Sequence, residues 1–387
     1  MAGRGKISAV CQALLIAASV TALSIGGAFA QQANDLDGLS QRILDNPQDV
    51  DLNLQYAHAA EAAGKPRLAL AAYERILIND PANAEARRGY ERVRRTIEPG
   101  YTVTRLELGA RFDTDALDTN ETFVDSEDST TLYGKLMIAN EHAFFGRRWR
   151  SILNLNVEDN VDIDRLDYDF LGAQTGPIFY AGPHLAVLPA IGGGVAWLGG
   201  DHYYNEVNLG VTVEGRVSGA SYWARLRGGW RDYDPDANNF FGTVAENGDY
   251  AELQAGLTKP RLFNSRDTLL ISPFVRWSNM EGDVFDFYIF DDLSPGKYLE
   301  YGADVNYNYQ ITDHVQASVG ALLRERDFSH NSRGDTYVAP QASVTLQRLL
   351  PCDCDLRLQY RYRRNDSNDF SADYDANQVS LSLTTRF

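Results

Sequence analysis

Apolar and polar residues change their period once along this 387-residue chain, and that change divides it. Between Gln31 and about Glu98 the apolar residues recur at helical spacing. Asn53 to Ala63 and Pro66 to Ile78 read as two helices, with Gly64 between them as the residue suited to a tight turn. Pro99-Gly100 ends this region, and beyond it the period is two. Leu299, Tyr301, Ala303, Val305, Tyr307 and Tyr309 alternate with Glu300, Gly302, Asp304, Asn306 and Asn308. Val207, Leu209, Val211 and Val213 alternate with Glu206, Asn208, Gly210, Thr212 and Glu214 in the same way. Side chains of a strand point to opposite faces in turn, so one face meets an apolar medium and the other a polar one.

Fourteen such strands are expected, near residues 102–112, 130–141, 149–159, 168–180, 185–197, 203–216, 221–232, 249–260, 268–279, 297–310, 315–327, 335–347, 356–365 and 375–387. A soluble sandwich also alternates, but three features favour a membrane barrel. The strand count is even, as bacterial barrels require. Short links such as Ser218-Gly219 and Thr312-Asp313 alternate with long ones such as Asp113–Ser129, Asp234–Gly248 and Gly282–Gly296. The 21 tyrosines and 17 phenylalanines gather near strand ends, as an interfacial girdle would. The expected fold is therefore mainly β: a 14-stranded antiparallel transmembrane β-barrel over residues 101–387, preceded by a short helical segment at 31–98.

The first thirty residues bear on the compartment. Arg4 and Lys6, then an apolar small-residue stretch from Ala13 to Phe29, then Ala28-Phe29-Ala30, describe a secretory signal peptide over residues 1–30. The expected location is the outer membrane of a Gram-negative bacterium, with the helical segment in the periplasm. Outer-membrane lipid, lipopolysaccharide and the barrel assembly machinery are then the expected partners. The formal charge of −17 argues against nucleic acid, which needs clustered Lys and Arg.

Candidate chemistry lies mostly on the polar faces. Arg225, Arg227 and Arg231 share one face of the seventh strand, and Arg357, Arg361 and Arg363 one face of the thirteenth. Glu206, Glu214, Glu252, Glu300 and Asp304 supply the opposite sign. These eleven are the candidates for lining a lumen. They read either as an electrostatically structured pore or as salt bridges that stabilise the wall. The acidic stretch after Asp113, with Asp115, Asp118, Glu121, Asp125, Glu127 and Asp128, reads as an ordinary solvated external loop. Gly192-Gly193-Gly194, inside a strand, reads as permitting a bend. His58, His142, His184, His202, His314 and His330 are scattered without metal-ligand spacing, and no nucleophile elbow or phosphate loop is present. No enzyme activity, metal or cofactor is expected. Cys352 and Cys354 leave a turn disulfide and two free thiols both open.

Two stretches carry a resemblance. Ala57, Gly64, Ala69, Tyr73 and Pro81 fall at the small, glycine, alanine, aromatic and proline positions of a tetratricopeptide repeat, and Pro47 precedes Pro81 by that repeat's period of 34. At the other end, Val379, Leu381, Leu383 and Thr385 alternate up to Phe387, resembling the C-terminal assembly signal of outer-membrane barrels. The segment RRNDSNDFSADYDANQVSLSLTTRF is similar to the barrel ending of the surface lipoprotein assembly modulator family. Together with the helical segment it makes residues 48 to 387 resemble that family, whose helical domain is longer. The resemblance implies export of a lipoprotein or other protein cargo to the cell surface, without a cofactor. The competing expectation is a passive channel for small solutes or a polysaccharide export pore.

Overall fold

The computed structural model describes residues 33–81, 83–97, 100–118, 127–145, 147–181, 185–234, 247–280, 296–329, 332–349 and 353–387. The expected signal peptide and the strongly aromatic stretch 284–290 lie outside the described residues. The chain divides into two compact units, Met1–Glu98 and Pro99–Phe387.

The first unit contains helices α1 (Ala33–Asp45), α2 (Val50–Ala62), α3 (Pro66–Asn79) and α4 (Ala84–Ile97). None of the described helices is long and apolar enough to cross a membrane. Asp49 caps α2 by accepting the Leu52 N–H at 3.0 Å, satisfying a donor that the first turn would otherwise leave open. Gly64 turns the chain at a φ of +66°, where a glycine is cheapest, and Pro66 opens α3. Alanines bring the helices close: Ala57, Ala60, Ala69 and Ala72 are fully buried with Tyr73. The Tyr73 ring lies against Gly89 of α4, where an added Cβ would sit 2.3 Å from the ring. Tyr73 donates its hydroxyl to Glu61, and Arg92 binds the same carboxylate, so one charged group ties α2, α3 and α4. Burial beside Glu61 pushes the Tyr73 phenol above its ordinary range. Of the repeat-like positions, Ala57, Ala69 and Tyr73 form the α2–α3 contact, Gly64 makes the turn, and Pro81 follows α3.

The second unit is one antiparallel sheet. Its strands are β1 (Gly100–Asp113), β2 (Ser129–Phe144), β3 (Arg147–Asn160), β4 (Tyr168–Pro177) and β5 (Phe179–Tyr180). Then come β6 (Leu185–Leu198), β7 (Asp201–Val217), β8 (Ala220–Tyr233), β9 (Gly248–Pro260) and β10 (Asp267–Met280). The last five are β11 (Lys297–Thr312), β12 (Val315–Phe328), β13 (Gly334–Leu346), β14 (Asp355–Ser367) and β15 (Tyr374–Arg386). β4 and β5 are one stave interrupted at Ile178, whose N–H still reaches the Arg148 carbonyl of β3 at 2.7 Å. The staves therefore number fourteen. Each pairs with its neighbours in sequence, and β1 pairs with β15 to close the ring, from Arg105 opposite Arg386 to Asp113 opposite Gln378. Thr104 and Phe387 exchange both backbone hydrogen bonds at the seam, at 2.9 and 3.0 Å.

The two ends of the barrel differ less simply than the link lengths suggest. Ser218-Gly219, at φ +46° and +75°, makes the tight turn expected between β7 and β8. The opposite end, with the long β1–β2, β8–β9 and β10–β11 connections, also holds a two-residue turn at Gly199-Gly200. The link after β13, as long as the expected strand bounds imply, contains Cys354, which is buried and disulfide-bonded. Gly194 and Gly172 lie under the Phe170 ring, which would clash with a Cβ at either one at 2.7 Å. Within the glycine run, Gly194 thus makes room for an aromatic ring, whereas Gly192 and Gly193 face the backbone of the adjacent strands.

The outward positions are apolar and exposed: Ile191, Val207, Leu209, Leu226, Val319, Leu358, Val379 and Leu381 all lie bare on the surface. Leu209 is 65% exposed. In water so wide a belt would drive aggregation, and in hydrocarbon it is solvated. Leu381→Arg or Leu209→Arg should therefore cost about 2–4 kcal/mol of folding free energy in lipid vesicles if it lies near the midplane. Ser380→Arg, one residue away on the opposite face, should cost well under half of that. Urea titrations showing equal losses would overturn this assignment of the two faces.

Candidate functional site

Opposite parity selects the other face. On β8 it carries Trp223, Arg225, Arg227, Gly229, Arg231 and Tyr233; on β10 it carries Phe274, Arg276 and Ser278. Contacts between strands that are not neighbours show that this face is the concave one. Arg150 on β3 reaches Glu214 on β7 at 2.8 Å, although β4 and β6 stand between them. Gly176, directly opposite Arg150 on β4, has no side chain to obstruct that reach. The same guanidinium binds Glu141 on β2 at 2.7 Å.

Register builds a ladder on this face. Arg227 stands opposite Glu252, Glu252 opposite Arg276, Arg276 opposite Glu300, Glu300 opposite Arg326, and Arg326 opposite Asp335. Signs thus alternate across β8 to β13. Arg276 donates to Glu252 at 2.8 Å and to Glu300 at 3.0 Å, and Arg326 donates to Glu300 at 2.8 and 2.6 Å. Beside the ladder, Glu206 accepts from Arg231 at 2.8 Å and from the Tyr250 hydroxyl at 2.6 Å. Aromatic faces cover several guanidiniums: Tyr204 lies 4.3 Å from Arg231, Tyr298 lies 4.5 Å from Arg326, and Tyr337 lies 4.5 Å from Arg324. A ring quadrupole attracts a cation on its face, so each of these arginines holds a carboxylate with its edge and a ring with its plane.

A third group closes part of the interior. Arg363 is 1% exposed and donates to both oxygens of Asp113 at 2.8 Å, to Asp118 at 2.6 Å and to the Asp115 carbonyl at 2.9 Å. Asp113, Asp115 and Asp118 are buried, so this start of the β1–β2 connection is not the solvated loop its composition suggests. Solvation is replaced by one guanidinium with enough donors for two carboxylates. Leu117, between them, joins a buried cluster with Tyr168, Ala196, Tyr204, Tyr233, Tyr250 and Met280, drawn from β4 and β6 to β10. Residues 114–118 are therefore folded into the barrel. Several tyrosines that read as an interfacial girdle belong to this inner cluster, because their parity points them inward.

The eleven candidate lumen residues do not form one cluster. Arg225, Arg227, Arg231, Glu206, Glu252 and Glu300 belong to the connected network on β7 to β12. Glu214 serves Arg150, and Arg363 holds the inward segment. Asp304 accepts from Asn306 at 2.7 Å, Arg361 donates to Gln341 at 3.1 Å, and Arg357 stands apart. Of the assembly-signal residues, Val379, Leu381 and Leu383 lie opposite Phe112, Ala110 and Leu108 at the seam. Sequence reasoning missed Glu141, Arg150, Arg276, Arg324 and Arg326. Parity with Ser278 on β10 and with Phe328 on β12 marks the last three, whereas nothing local marks the Arg150–Glu214 contact. Among the described residues, no group of three metal-binding side chains comes together.

A closed antiparallel sheet with an apolar outside and a charged inside has the fold of an outer-membrane β-barrel. The family described as "Putative beta-barrel porin 2" matches residues 290–387, which include β11 to β15. The outer membrane channel DcaP of Acinetobacter baumannii is similar in structure, with a TM-score of 0.47 and 9% identity over 74% of this chain and 97% of that one. OmpT of Vibrio cholerae gives 0.41 and 8%, covering 75% and 100%. OpdK of Pseudomonas aeruginosa, solved with vanillate, gives 0.37 and 10%, covering 74% and 99%. No curated protein matches the chain by sequence. The class is set by the closed sheet and its two faces rather than by these distant likenesses.

Glu300 is fully buried and shared by Arg276, Arg324 and Arg326 at 3.0, 3.6 and 2.6 Å. Glu300→Gln should destabilise the barrel by about 3–5 kcal/mol, since it leaves buried cations short of their counter-charge. A loss under about 1 kcal/mol in vesicle unfolding would mean that water already satisfies the ladder.

Proposed function

We propose that this protein is a passive channel for small water-soluble solutes, narrowed from within by residues 114–118. The observation that carries this reading is the inward fold of that segment, held by Arg363 inside a wall of paired charges. A charged, hydrated wall favours polar solutes over lipid-like ones, and among the described residues of β7 to β12 Arg225, Arg227, Arg231, Arg276, Arg324 and Arg326 share the three carboxylates of Glu206, Glu252 and Glu300. Arg225, Arg227 and Arg276 share Glu252, and Arg276, Arg324 and Arg326 share Glu300. This part of the wall is thus more basic than the chain's formal charge of −17 implies, which favours anions.

Export of a lipoprotein or other protein cargo is the second reading. What favours it is the helical unit in the same chain, whose α2–α3 hairpin has the alanine, glycine and tyrosine positions of a peptide-binding repeat. Weighing against it is the filling of the interior by Leu117 and its aromatic neighbours, which an unfolded chain would have to displace.

Planar-bilayer recording of the refolded full chain separates the two. A solute channel gives steady current, and Arg363→Gln, which unties residues 114–118, raises single-channel conductance about twofold or more. A barrel that stays closed until residues 31–98 are removed or a lipoprotein is added would reject the solute reading in favour of export.

A further inference from the structure

One row of the inner face is nearly bare of side chains. Arg150 on β3 stands opposite Gly176 on β4, and a Cβ added at Gly176 would lie 2.8 Å from the Ala190 Cα of β6. Ala190 stands opposite Gly210 on β7, and Gly210 opposite Arg227 on β8. Between two arginines the wall thus carries nothing larger than a methyl group. The hollow this leaves has a volume of about 50 Å³, well above the space one water needs. Arg150 spans it on the way to Glu214. Gln174 borders it on one side of the row, Thr212 and Arg225 on the other. Thr212 stands directly opposite Arg225 across the β7–β8 register.

Arg150, Arg225 and Arg227 all line this hollow, and among the described residues no Asp or Glu does. The carboxylates that serve these arginines, Glu141, Glu214, Glu206 and Glu252, lie outside its lining. Arg225 binds Glu252 at 3.1 Å and Gln254 at 2.9 Å through one terminal nitrogen, while its buried Nε has no hydrogen-bond partner. The side chains of Gln174 and Thr212 have no hydrogen-bond partner among the described residues. Positive charge, an open guanidinium N–H, an amide and a hydroxyl therefore converge on a space without negative charge of its own. Such a set matches an oxyanion, which takes several N–H and O–H donors at once. We propose that this hollow binds the oxyanion group of a small solute, a carboxylate or a phosphate, with Arg225, Gln174 and Thr212 as donors. Arg150 and Arg227 supply further positive charge at its two ends. The proposal rests on the solute-channel reading for how the anion arrives, and on the hollow alone for how it is held. Along β10 to β12 the buried Glu300 already occupies the centre of Arg276, Arg324 and Arg326, so a passing anion would have to displace it there.

The test is calorimetric titration of the refolded full chain in a non-ionic detergent with succinate and, separately, with inorganic phosphate. Saturable binding of either is expected; succinate alone points to carboxylate solutes and phosphate alone to phosphorylated ones. Arg225→Gln should weaken binding about tenfold or more, as loss of a charge-assisted donor does. Gln174→Leu, which removes a donor but no charge, should weaken it about threefold or more. Arg225→Lys, which keeps the charge and guards against misfolding of the first variant, should fall between the parent and Arg225→Gln. Arg364→Gln, on the outer face and exposed, should leave binding unchanged. No binding of either anion by the parent protein overturns the site. So does a loss in Arg225→Gln with none in Gln174→Leu, because the anion would then answer to the charge of the wall and not to the hollow. The same proteins in bilayers keep the two ideas separable. Anion binding without current preserves the site and removes the channel reading, whereas current without anion binding does the reverse.

Discussion

Closure of the sheet is the constraint on which the rest of this barrel depends. In hydrocarbon no water is available to an N–H or C=O, and a single open edge would leave a row of them unmet. Here β1 and β15 meet in register from Arg105 to Asp113, and Thr104 and Phe387 complete the seam. Once the ring is closed, every residue on a stave faces either in or out. That parity sends Leu209, Leu226 and Leu381 to the apolar side and Arg227, Glu252 and Arg276 to the other.

The inward charges must then be satisfied in a confined space. Burying an ion costs several kcal/mol unless partners compensate, and a strand wall offers partners only at fixed spacing. Direct opposition of Arg and Glu on consecutive staves meets that need from β8 to β12. Where a facing residue is glycine, as at Gly176, a longer reach becomes available and Arg150 uses it to bridge non-adjacent staves.

The inward segment follows the same logic from the loop side. Arg363, buried by position on β14, needs negative charge, and Asp113 and Asp118 bring the chain inward to supply it. Leu117 then finds an apolar environment among tyrosines whose hydroxyls are occupied elsewhere, as Tyr250 is by Glu206. An acidic loop and a basic lumen residue, each unfavourable alone, are compatible only when paired.

Much of this was legible in the residues. Period-two alternation and the spacing of turn residues determined the fourteen staves, their bounds to within a few positions, and the face each side chain takes, because parity is a local property of an extended chain. Helical spacing with Gly64 and Pro66 likewise determined the α2–α3 hairpin. What sequence could not supply was the partner. Whether Glu214 meets Arg150, whether Asp118 lies in water or against Arg363, and whether Tyr204 and Tyr250 face an interface or one another all depend on chords across the ring. Those chords join residues far apart in the chain, and only the register and curvature of the closed sheet set their lengths.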